Sequence, residues 1–397
     1  MLLEIYSILA LLYWVFLSLY LIVNGHKINY LSSIQNTVNK PTPSVIIIIA
    51  VRNEEYALRE ALISVCNLDY SNYKVLVVND RSTDNTGKIL KELQATFEKL
   101  TIINIETLPT GWLGKNHALY TGYNFSDEDY MLFTDADVLF KKDVLTKAMS
   151  FCLSKDLDHL TVLPEIISPS PILKSVLSTF VIMLMALQRP WAAKIKNSKA
   201  SMGVGAFNLV KRKAYERAGT HKAIAMRPDD DLKLAAYIKT AGGKADILYG
   251  QGELQLEWYT NVKEFINGLM KNAFSGFDYN VLKVIGGVLG TLLFLVLPIP
   301  LILIFGNSLE RNMIFCMLLV QVILYWKMPG SNGKWWYGFM SIYGGIIIIY
   351  IFIRSAIITI GNGGIYWKKT FYSLAELRKT NKKRSRLIIN EAVFYLL

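Results

Sequence analysis

The segment YMLFTDADVLF, residues 130–140, joins an apolar run to two acidic residues, Asp135 and Asp137, that stand one position apart. Its first half predicts a buried strand, but two like charges beside an apolar run are costly unless another charge compensates them. A divalent cation is one such compensation, because Mg²⁺ commonly binds one or two carboxylates together with the phosphates of a substrate. An exposed acidic turn is the alternative. The segment therefore predicts a metal site at the end of a buried strand.

Three other apolar runs precede this segment, each without polar alternation: PSVIIIIAVRNEE at 43–55, YKVLVVND at 73–80 and LTIINIE at 100–106. Unbroken apolar runs are typical of parallel strands that are covered on both faces. Helical spacing between them predicts an α/β fold with a mostly parallel sheet. Ligands bind at the carboxyl ends of the strands in such sheets. Glu54 and Asp80 lie at two of these ends and are predicted to converge with the acidic pair.

Asp80 has a simpler explanation if it is taken alone. Together with Ser82 and Asp84 it precedes a helical pattern, and such residues often cap a helix. Convergence of several strand ends on one edge is harder to explain in this way.

Several function classes are excluded or disfavoured. No G-x-G-x-x-G follows the first strand, which disfavours a Rossmann dinucleotide site, and the absence of G-x-x-x-x-G-K-[ST] excludes P-loop NTPases. The net charge of +12 fits nucleic acid, anionic lipid or a phosphorylated ligand. Nucleic acid is disfavoured because there is no zinc-finger spacing and no basic stripe with interleaved aromatic residues. The three cysteines are widely spaced, indicate no disulfide framework and fit a reducing compartment.

An almost unbroken apolar run at 3–23 is long enough to cross a bilayer. No basic residue precedes it and no small-residue cleavage site follows it, so a retained anchor is favoured over a signal peptide. His26, Lys27 and Lys40 follow the run. By the positive-inside rule, they place the next part of the chain in the cytoplasm.

Three further apolar runs lie at 284–305, 312–326 and 336–360. Four spans would put both termini outside the cytoplasm. The basic stretch KTNKKRSR at 379–386 instead favours a C-terminal end inside. Two arrangements are therefore left open: all the runs are spans, or one of them is re-entrant. The apolar stretch 172–189 is also long enough to span. A helix that lies on the membrane or in the core costs less and is favoured there.

Four segments resemble the family 2 glycosyltransferases, the inverting enzymes of the GT-A fold, and the resemblance covers about residues 42–275. They are AVRNEE (50–55), like the first-strand motif but with Ala50 where proline is usual, VVNDRSTDNT (77–86), like the second-strand motif, GWLGKNHAL (111–119), like the donor segment, and TDADV (134–138), like the D-x-D motif. The resemblance implies Mg²⁺ or Mn²⁺ held by Asp135 and Asp137. It also implies donor contacts from Ala50, Arg52, Glu54, Asp80, Lys115, Asp135 and Ala136.

MRPDDDLKLAAYIKTAGGK, residues 226–244, resembles the segment in which an acidic pair opens a helix and the second acid is the general base. Counting back from Ile238 and Gly242 points to Asp231, and its neighbour Asp230 is the other candidate. Acids in a first helical turn also offset the helix dipole without any catalytic role. Three adjacent acids repel each other, which favours a function for at least one, and repulsion raises a carboxylate's pKa in the direction that suits a base.

One motif of the processive members, Q-x-x-R-W near the acceptor, is missing. GLMKNAF (268–274) stands in its place, with Lys271 where the arginine would be. This departure favours a likeness to the membrane-bound ceramide, hopanoid and carotenoid glycosyltransferases, and GGIYWKKTFYSL (363–374) resembles a segment after their last membrane run. MGVGAFNLVKR (202–212) resembles a strand that lines the acceptor side, and it equally fits plain core. Gly205 and Lys271 are therefore assigned to the acceptor side or the diphosphate.

The expected organisation is a transmembrane anchor over 1–24, a GT-A glycosyltransferase domain over 25–280, a membrane region of two to three helices over 281–362 and a basic juxtamembrane tail over 363–397. The expected protein is multi-pass in the inner (cytoplasmic) membrane, with the catalytic domain facing the cytoplasm. Its expected reaction moves a sugar from a UDP-sugar to a hydroxyl or carboxyl group of a lipid. A processive polysaccharide synthase with the same domain is one alternative. A non-enzymatic membrane protein that binds a nucleotide or a partner is another.

Overall fold

A computed structural model describes residues 1–37, 42–367 and 370–378. The strands in this part of the chain are β1 Asn29–Tyr30, β2 Val45–Val51, β3 Tyr73–Asp80, β4 Leu100–Ile105, β5 Tyr130–Thr134, β6 Val138–Phe140, β7 His159–Ile166, β8 Asn208–Lys211, β9 Ala245–Leu256, β10 Gly364–Trp367 and β11 Thr370–Ser373. The α-helices are α1 Leu2–Gly25, α2 Leu58–Cys66, α3 Thr86–Thr96, α4 Gly114–Asn124, α5 Val144–Lys155, α6 Pro171–Gln188, α7 Arg212–Arg217, α8 Asp230–Thr240, α9 Val262–Gly276, α10 Val281–Thr291, α11 Pro298–Phe305, α12 Ser308–Lys327 and α13 Ser341–Gly361.

The centre of the sheet is β2, whose sequence VIIIIAV is rich in β-branched residues and almost entirely buried. Such residues pack well on a pleated surface that is covered on both faces. Strand β2 pairs in parallel with β3 on one side and with β5 on the other. All five residues of β5 are buried. The three strands therefore end at the same edge of the sheet.

The sheet is mixed, with the strand order β1-β9-β7-β8-β5-β2-β3-β4. The β4-β3-β2-β5 part is parallel, whereas β8 is antiparallel to both β5 and β7. Strand β6, which follows β5 in the chain, lies outside this order and pairs antiparallel with β9. The α/β class and the mostly parallel sheet with flanking helices are thus confirmed. The stretch 130–140 is two strands, separated by its own acidic residues.

One hydrophobic cluster lies between the sheet and the helices α4, α7 and α8. It combines alternate residues of β2, β3 and β5 with residues of these helices, including Leu119, Tyr215 and Leu234. Gly122 of α4 lies so close to Ile48 that a Cβ at Gly122 would be 2.5 Å from that side chain. Because α4 and α8 both pack on this face, Lys115 in the first turn of α4 is brought close to Asp230 in the first turn of α8.

The chain divides into two compact units. One unit contains the sheet and consists of residues 29–165, 192–256 and the segment from 360 onward. Its last described part contains a hairpin of β10 and β11. The other unit is helical and consists of residues 1–28, 166–191 and 257–359.

The helical unit contains the apolar runs. Among the described residues, four helices are long and apolar enough to cross a membrane: Leu2–Gly25, Pro171–Ala192, Ser308–Lys327 and Trp335–Gly361. Val281–Val296 and Pro298–Phe305, bent by 46°, form a further candidate pair. Helix α6, for which a place in the core or on a membrane was expected, packs its Leu173 and Val176 against Phe265 of α9 and Ile351 of α13. Helix α6 therefore belongs to the same helical unit as the terminal runs.

Candidate functional site

The acidic turn after β5 is held from both sides by backbone contacts. The Asp135 N–H donates to the carbonyl of Gly205 at 2.9 Å, and Thr134 Oγ1 donates to the carbonyl of Ala206 at 2.8 Å. Ala136, which stands between the two acids, is buried. The strand ends at Thr134, so Asp135 and Asp137 stand in the connection beyond it, as predicted.

Asp137 is half-buried, and Lys115 only partly offsets the effect of this burial on its carboxylate. Its Oδ1 is buried and has no hydrogen-bond partner in the described part of the chain. Burial raises the Asp137 pKa to about 7, with further contributions from the charges of Asp135 and Glu54. These are the conditions that a bound cation relieves.

The donor set fits a divalent metal that is shared with a substrate. Within the described ranges, no group of three or more His, Cys, Asp or Glu side chains is arranged to hold a metal ion. Asp135 and Asp137 offer carboxylate oxygens, which hard cations prefer, and Mg²⁺ commonly completes its shell with phosphate oxygens and water. The residues therefore fit a metal that binds together with a diphosphate.

Lys115 links two of the predicted acids. Its Nζ lies 2.7 Å from Asp135 Oδ1 and 3.6 Å from Asp230 Oδ2. Burial acts to lower the Lys115 pKa, but the negative charges of Asp135, Asp230 and Asp231 raise it above its ordinary value. Lys115 is therefore a permanent cation between the acidic turn after β5 and the start of α8.

The three acids before and within the first turn of α8 have different surroundings. Asp229 forms a two-point ion pair with the buried Arg227, with N–O distances of 2.8 Å and 2.6 Å. Asp230 is buried and faces Lys115, and burial raises the Asp230 pKa. Arg227 and Lys115 thus compensate the first two acids of the run.

Asp231 is held by backbone groups. Its Oδ2 accepts from the Gly205 N–H at 2.9 Å, and its Oδ1 accepts from the Leu232 N–H at 2.7 Å. No lysine or arginine of the described chain forms an ion pair with it within 4.0 Å. Desolvation raises the Asp231 pKa to about 7, Asp230 adds to this increase, and Lys115 opposes it. A partly exposed carboxylate with a pKa near neutrality is suited to accept a proton.

Asp80 is compensated by arginines. Both carboxylate oxygens of this buried residue accept from Arg81, at 2.7 Å from Nε and 3.0 Å from Nη2. Arg52 Nη1 lies 3.6 Å from Asp80 Oδ2. The first N–H of α3, that of Thr86, donates to Asp84 Oδ1 at 3.0 Å, and the N-cap residue Asn85 forms no side-chain cap hydrogen bond. Asp80 is therefore not the cap of this helix.

The first helical residue of α4 touches the Asp80 group. A Cβ added to Gly114 would lie 2.3 Å from Asp80 Oδ2 and 3.2 Å from Arg81 Nη2. The next residue is Lys115, which contacts Asp135. The start of α4 therefore lies between the arginine-paired acid of β3 and the acidic turn of β5.

A pocket joins most of these groups. It brings together the predicted residues Lys115, Asp135, Gly205, Asp230 and Asp231 with lining residues that sequence patterns did not single out: Leu119, Phe133, Thr134, Asn208, His221 and Leu234. His221 Nδ1 lies 2.6 Å from the Tyr215 hydroxyl, and burial lowers the His221 pKa to about 3. No spacing in the sequence could have identified His221 or Asn208, since tertiary packing alone brings them to the pocket.

The remaining predicted residues have different positions. Ala50 lies in β2 and packs against the hydrophobic cluster. The Glu54 N–H donates to Thr86 Oγ1 at 2.9 Å, which ties the loop after β2 to the start of α3. Lys271 belongs to α9 of the helical unit, and its side chain is outside the described part of the chain.

Part of the chain is similar to known proteins. Residues 46–219 match the family model "Glycosyl transferase family 2". The chain is 33% identical to a β-monoglucosyldiacylglycerol synthase of Nostoc sp. over 113 residues, which are 28% of this chain and 24% of that protein. It is 24% identical to a 4,4′-diaponeurosporenoate glycosyltransferase of Staphylococcus haemolyticus over 234 residues, 58% of this chain and 61% of that protein.

The name of a third relative states a polymer as its product. A poly-β-1,6-N-acetyl-D-glucosamine synthase of Staphylococcus epidermidis is 24% identical over 220 residues, 54% of this chain and 50% of that protein. The chain thus spans between about a quarter and three fifths of the length of these relatives.

A solved structure has a similar fold across nearly the whole chain. It is a mannosyltransferase from Pyrobaculum calidifontis in complex with GDP-Man and Mn²⁺, with a TM-score of 0.53 and 15% sequence identity, covering 91% of this chain and 99% of that one. The family match covers β2, β3 and β5, and it includes Lys115 and the Asp135–Asp137 turn. Residues 46–219 are therefore similar to glycosyl transferase family 2, and the fold is similar to that of this mannosyltransferase.

Proposed function

We propose that this protein is a membrane-bound inverting glycosyltransferase that moves a sugar from a UDP-sugar to a hydroxyl or carboxyl group of a lipid. One observation carries the proposal. The N–H of Gly205 donates to Asp231, the proton acceptor, and the carbonyl of Gly205 accepts from the N–H of Asp135 in the acidic turn. A base and a diphosphate-binding turn that are held by the backbone of one residue are the two parts that a single displacement at a sugar carbon requires.

Two carboxylates are candidates for the general base in this proposal. Asp231 takes the proton of the acceptor group, because it has no cationic partner among the described residues and its pKa of about 7 lies near working pH. Asp230 is the weaker candidate, since it is buried and faces Lys115. Inversion follows because one base and one displacement leave no covalent intermediate.

The donor lies along the strand ends. Asp80, with Arg52 and Arg81, lies where the nucleoside binds, and Lys115 offers positive charge to the diphosphate. Asp135 and Asp137 would hold Mg²⁺ or Mn²⁺, which when bound neutralises charge on the leaving diphosphate. Glu54 adds to the negative potential at Asp137.

A lipid acceptor is supported by the candidate spans and by two relatives whose names state lipid or carotenoid products. We place the protein in the inner (cytoplasmic) membrane, with the sheet unit facing the cytoplasm, where nucleotide sugars are made. The polymer-forming relative favours a second candidate, a processive synthase with the same catalytic unit.

The test incubates membranes containing the protein with a panel of labelled UDP-sugars and Mn²⁺, and then extracts the lipids. A single labelled sugar on an extractable lipid supports the proposal, and a long polymer supports the synthase. Asp231→Asn should abolish transfer and leave UDP binding nearly intact, while Asp127→Asn, at an exposed position, serves as the matched control. Full activity of Asp231→Asn would contradict the assignment of Asp231 as the base. Absence of transfer with every donor would contradict the proposal that the protein is a glycosyltransferase.

A further inference from the structure

A hairpin that follows the last apolar helix belongs to the sheet unit. Strands β10 and β11 pair in antiparallel register from Gly364 with Ser373 to Trp367 with Thr370. The Leu374 N–H donates to the Gly363 carbonyl at 2.7 Å and closes the base of the hairpin. The family-model match ends at residue 219 and assigns this hairpin no role.

Tyr372 of this hairpin caps helix α4. Its side chain is buried, and its hydroxyl oxygen accepts from the Gly114 N–H at 3.3 Å. The first N–H groups of a helix have no partner inside the helix and need one from elsewhere. A residue 258 positions downstream supplies it at the helix end that carries Lys115.

The same hairpin reaches the Asp80 group by a second route. Thr370 Oγ1 lies 3.4 Å from Arg52 Nη1, and the same guanidinium nitrogen lies 3.6 Å from Asp80 Oδ2. Gly114, which Tyr372 contacts, is itself packed directly against Asp80. Tyr372 and Thr370 of β11 thus contact Gly114 and Arg52. These are two of the residues that lie against the buried Asp80 carboxylate.

We propose that the β10–β11 hairpin is a positioning element of the nucleotide-binding site, acting through Tyr372 on the start of α4 and through Thr370 on Arg52. The inference rests on the proposed function, because it takes the Asp80 group to be where the donor nucleotide binds. The hairpin touches neither Asp231 nor the acidic turn in the contacts described above. Its loss should therefore weaken donor binding and leave the turnover of bound donor largely unchanged.

The experiment compares Tyr372→Phe with Tyr366→Phe in the purified full-length protein. Both variants lose one hydroxyl from the same hairpin, but the Tyr366 side chain is exposed and Tyr372 is buried. UDP binding is measured by titration calorimetry with Mn²⁺, and donor KM, acceptor KM and kcat are measured in the transfer assay. Thermal unfolding confirms that each variant is folded.

We expect Tyr372→Phe to raise the UDP Kd and the donor KM by about three- to tenfold, the effect of one lost hydrogen bond. The acceptor KM and kcat should stay close to those of the unmodified protein, whereas Tm should fall by a few degrees because the buried Gly114 N–H loses its acceptor. Tyr366→Phe should change none of these quantities. Thr370→Val should give a smaller loss of the same kind.

Two negative outcomes are distinguishable. If the unmodified protein binds UDP and Tyr372→Phe binds it equally well, the role of the hairpin is overturned and the proposed function stands. If the unmodified protein binds none of UDP, GDP and ADP, the proposed function and the hairpin inference are both overturned. A change in Tm with an unchanged donor KM also overturns the inference, since it shows a purely structural role.

Discussion

The backbone N–H of Gly205 donates a hydrogen bond to Asp231 Oδ2 at 2.9 Å. The carbonyl of the same residue accepts from the Asp135 N–H at 2.9 Å. One residue without a side chain therefore sets the spacing between the proposed base and the first acid of the metal-site turn. A shift at this point moves both functional groups together.

Gly205→Ala should inactivate the protein with little loss of stability. A Cβ there would lie 2.2 Å from Asp135 Oδ2, and the short carboxylate must turn away from its present position. We expect transfer to fall by about a hundredfold, the scale of a misplaced reacting group. The free energy of unfolding should change by about 1 kcal/mol. Gly87→Ala is the matched control, since its Cβ would meet only Asn79 Nδ2 at 3.9 Å. Normal transfer by Gly205→Ala would contradict the assigned role of Asp135.

The transfer rate should rise with pH through the pKa of Asp231. That pKa is about 7 in the free protein, and only the deprotonated carboxylate accepts a proton. Below it, kcat/KM should fall by about tenfold for each pH unit, as expected for one essential base. The profile is measured with saturating Mn²⁺ and lipid acceptor, with UDP binding followed at each pH as the control. A flat profile between pH 5 and pH 8 would argue against Asp231.

Asp231→Asn should stabilise the protein, and more so at high pH. The folded-state pKa of about 7 lies above the ordinary value of 3.8, so the folded state binds the proton more tightly than the unfolded state. The resulting cost is absent below about pH 4, grows as the pH rises and is complete above about pH 7. We expect the variant to gain about 1–2 kcal/mol at pH 8, less than the full shift implies because the side chain is partly exposed. Asp127→Asn should show no such pH-dependent gain in thermal unfolding.

Lys115→Met should destabilise the sheet unit and abolish transfer. It leaves Asp135 and the buried Asp230 without their shared cation, and removing one partner of a buried ion pair costs about 3–5 kcal/mol. Adding Asp230→Asn to this variant should restore much of the stability but not UDP binding. Lys115→Arg keeps the charge and is the milder control. Equal thermal stability of Lys115→Met and the unmodified protein would show that the ion pairs contribute nothing.

Asp80→Asn should weaken nucleotide binding by about tenfold while kcat changes little, because it releases both Arg52 and Arg81 from their carboxylate. Asp84→Ala is the comparison from the same loop. It removes the oxygen that accepts from the Thr86 N–H at the start of α3 and should lower Tm without affecting UDP affinity. The opposite pattern, with the nucleotide effect at Asp84, would reverse the two assignments.

The sequence indicated the strands and the positions of the acids, because unbroken apolar runs mark covered parallel strands and such strands end at one edge. Asp135 and Asp137 beyond Thr134 follow from this rule. It could not indicate that Lys115 pairs with both Asp135 and Asp230, since that depends on two helices packing on one face of the sheet. The sequence predicted mutual repulsion among the three acids at 229–231. In the structure, Arg227 compensates Asp229 and Lys115 compensates Asp230. Tyr372 is 258 positions from Gly114, and local patterns carry no signal for such a contact.

The position of the β10–β11 hairpin in the chain sets an order for biosynthesis. The ribosome makes strands β2 to β5 early, and it makes Tyr372 only after α13 has been translated. A nascent chain with a folded sheet therefore still lacks the cap on α4. We expect such a chain to bind donor weakly until the apolar helices and the hairpin have been synthesised, so that sugar transfer begins only once this part of the chain has been made.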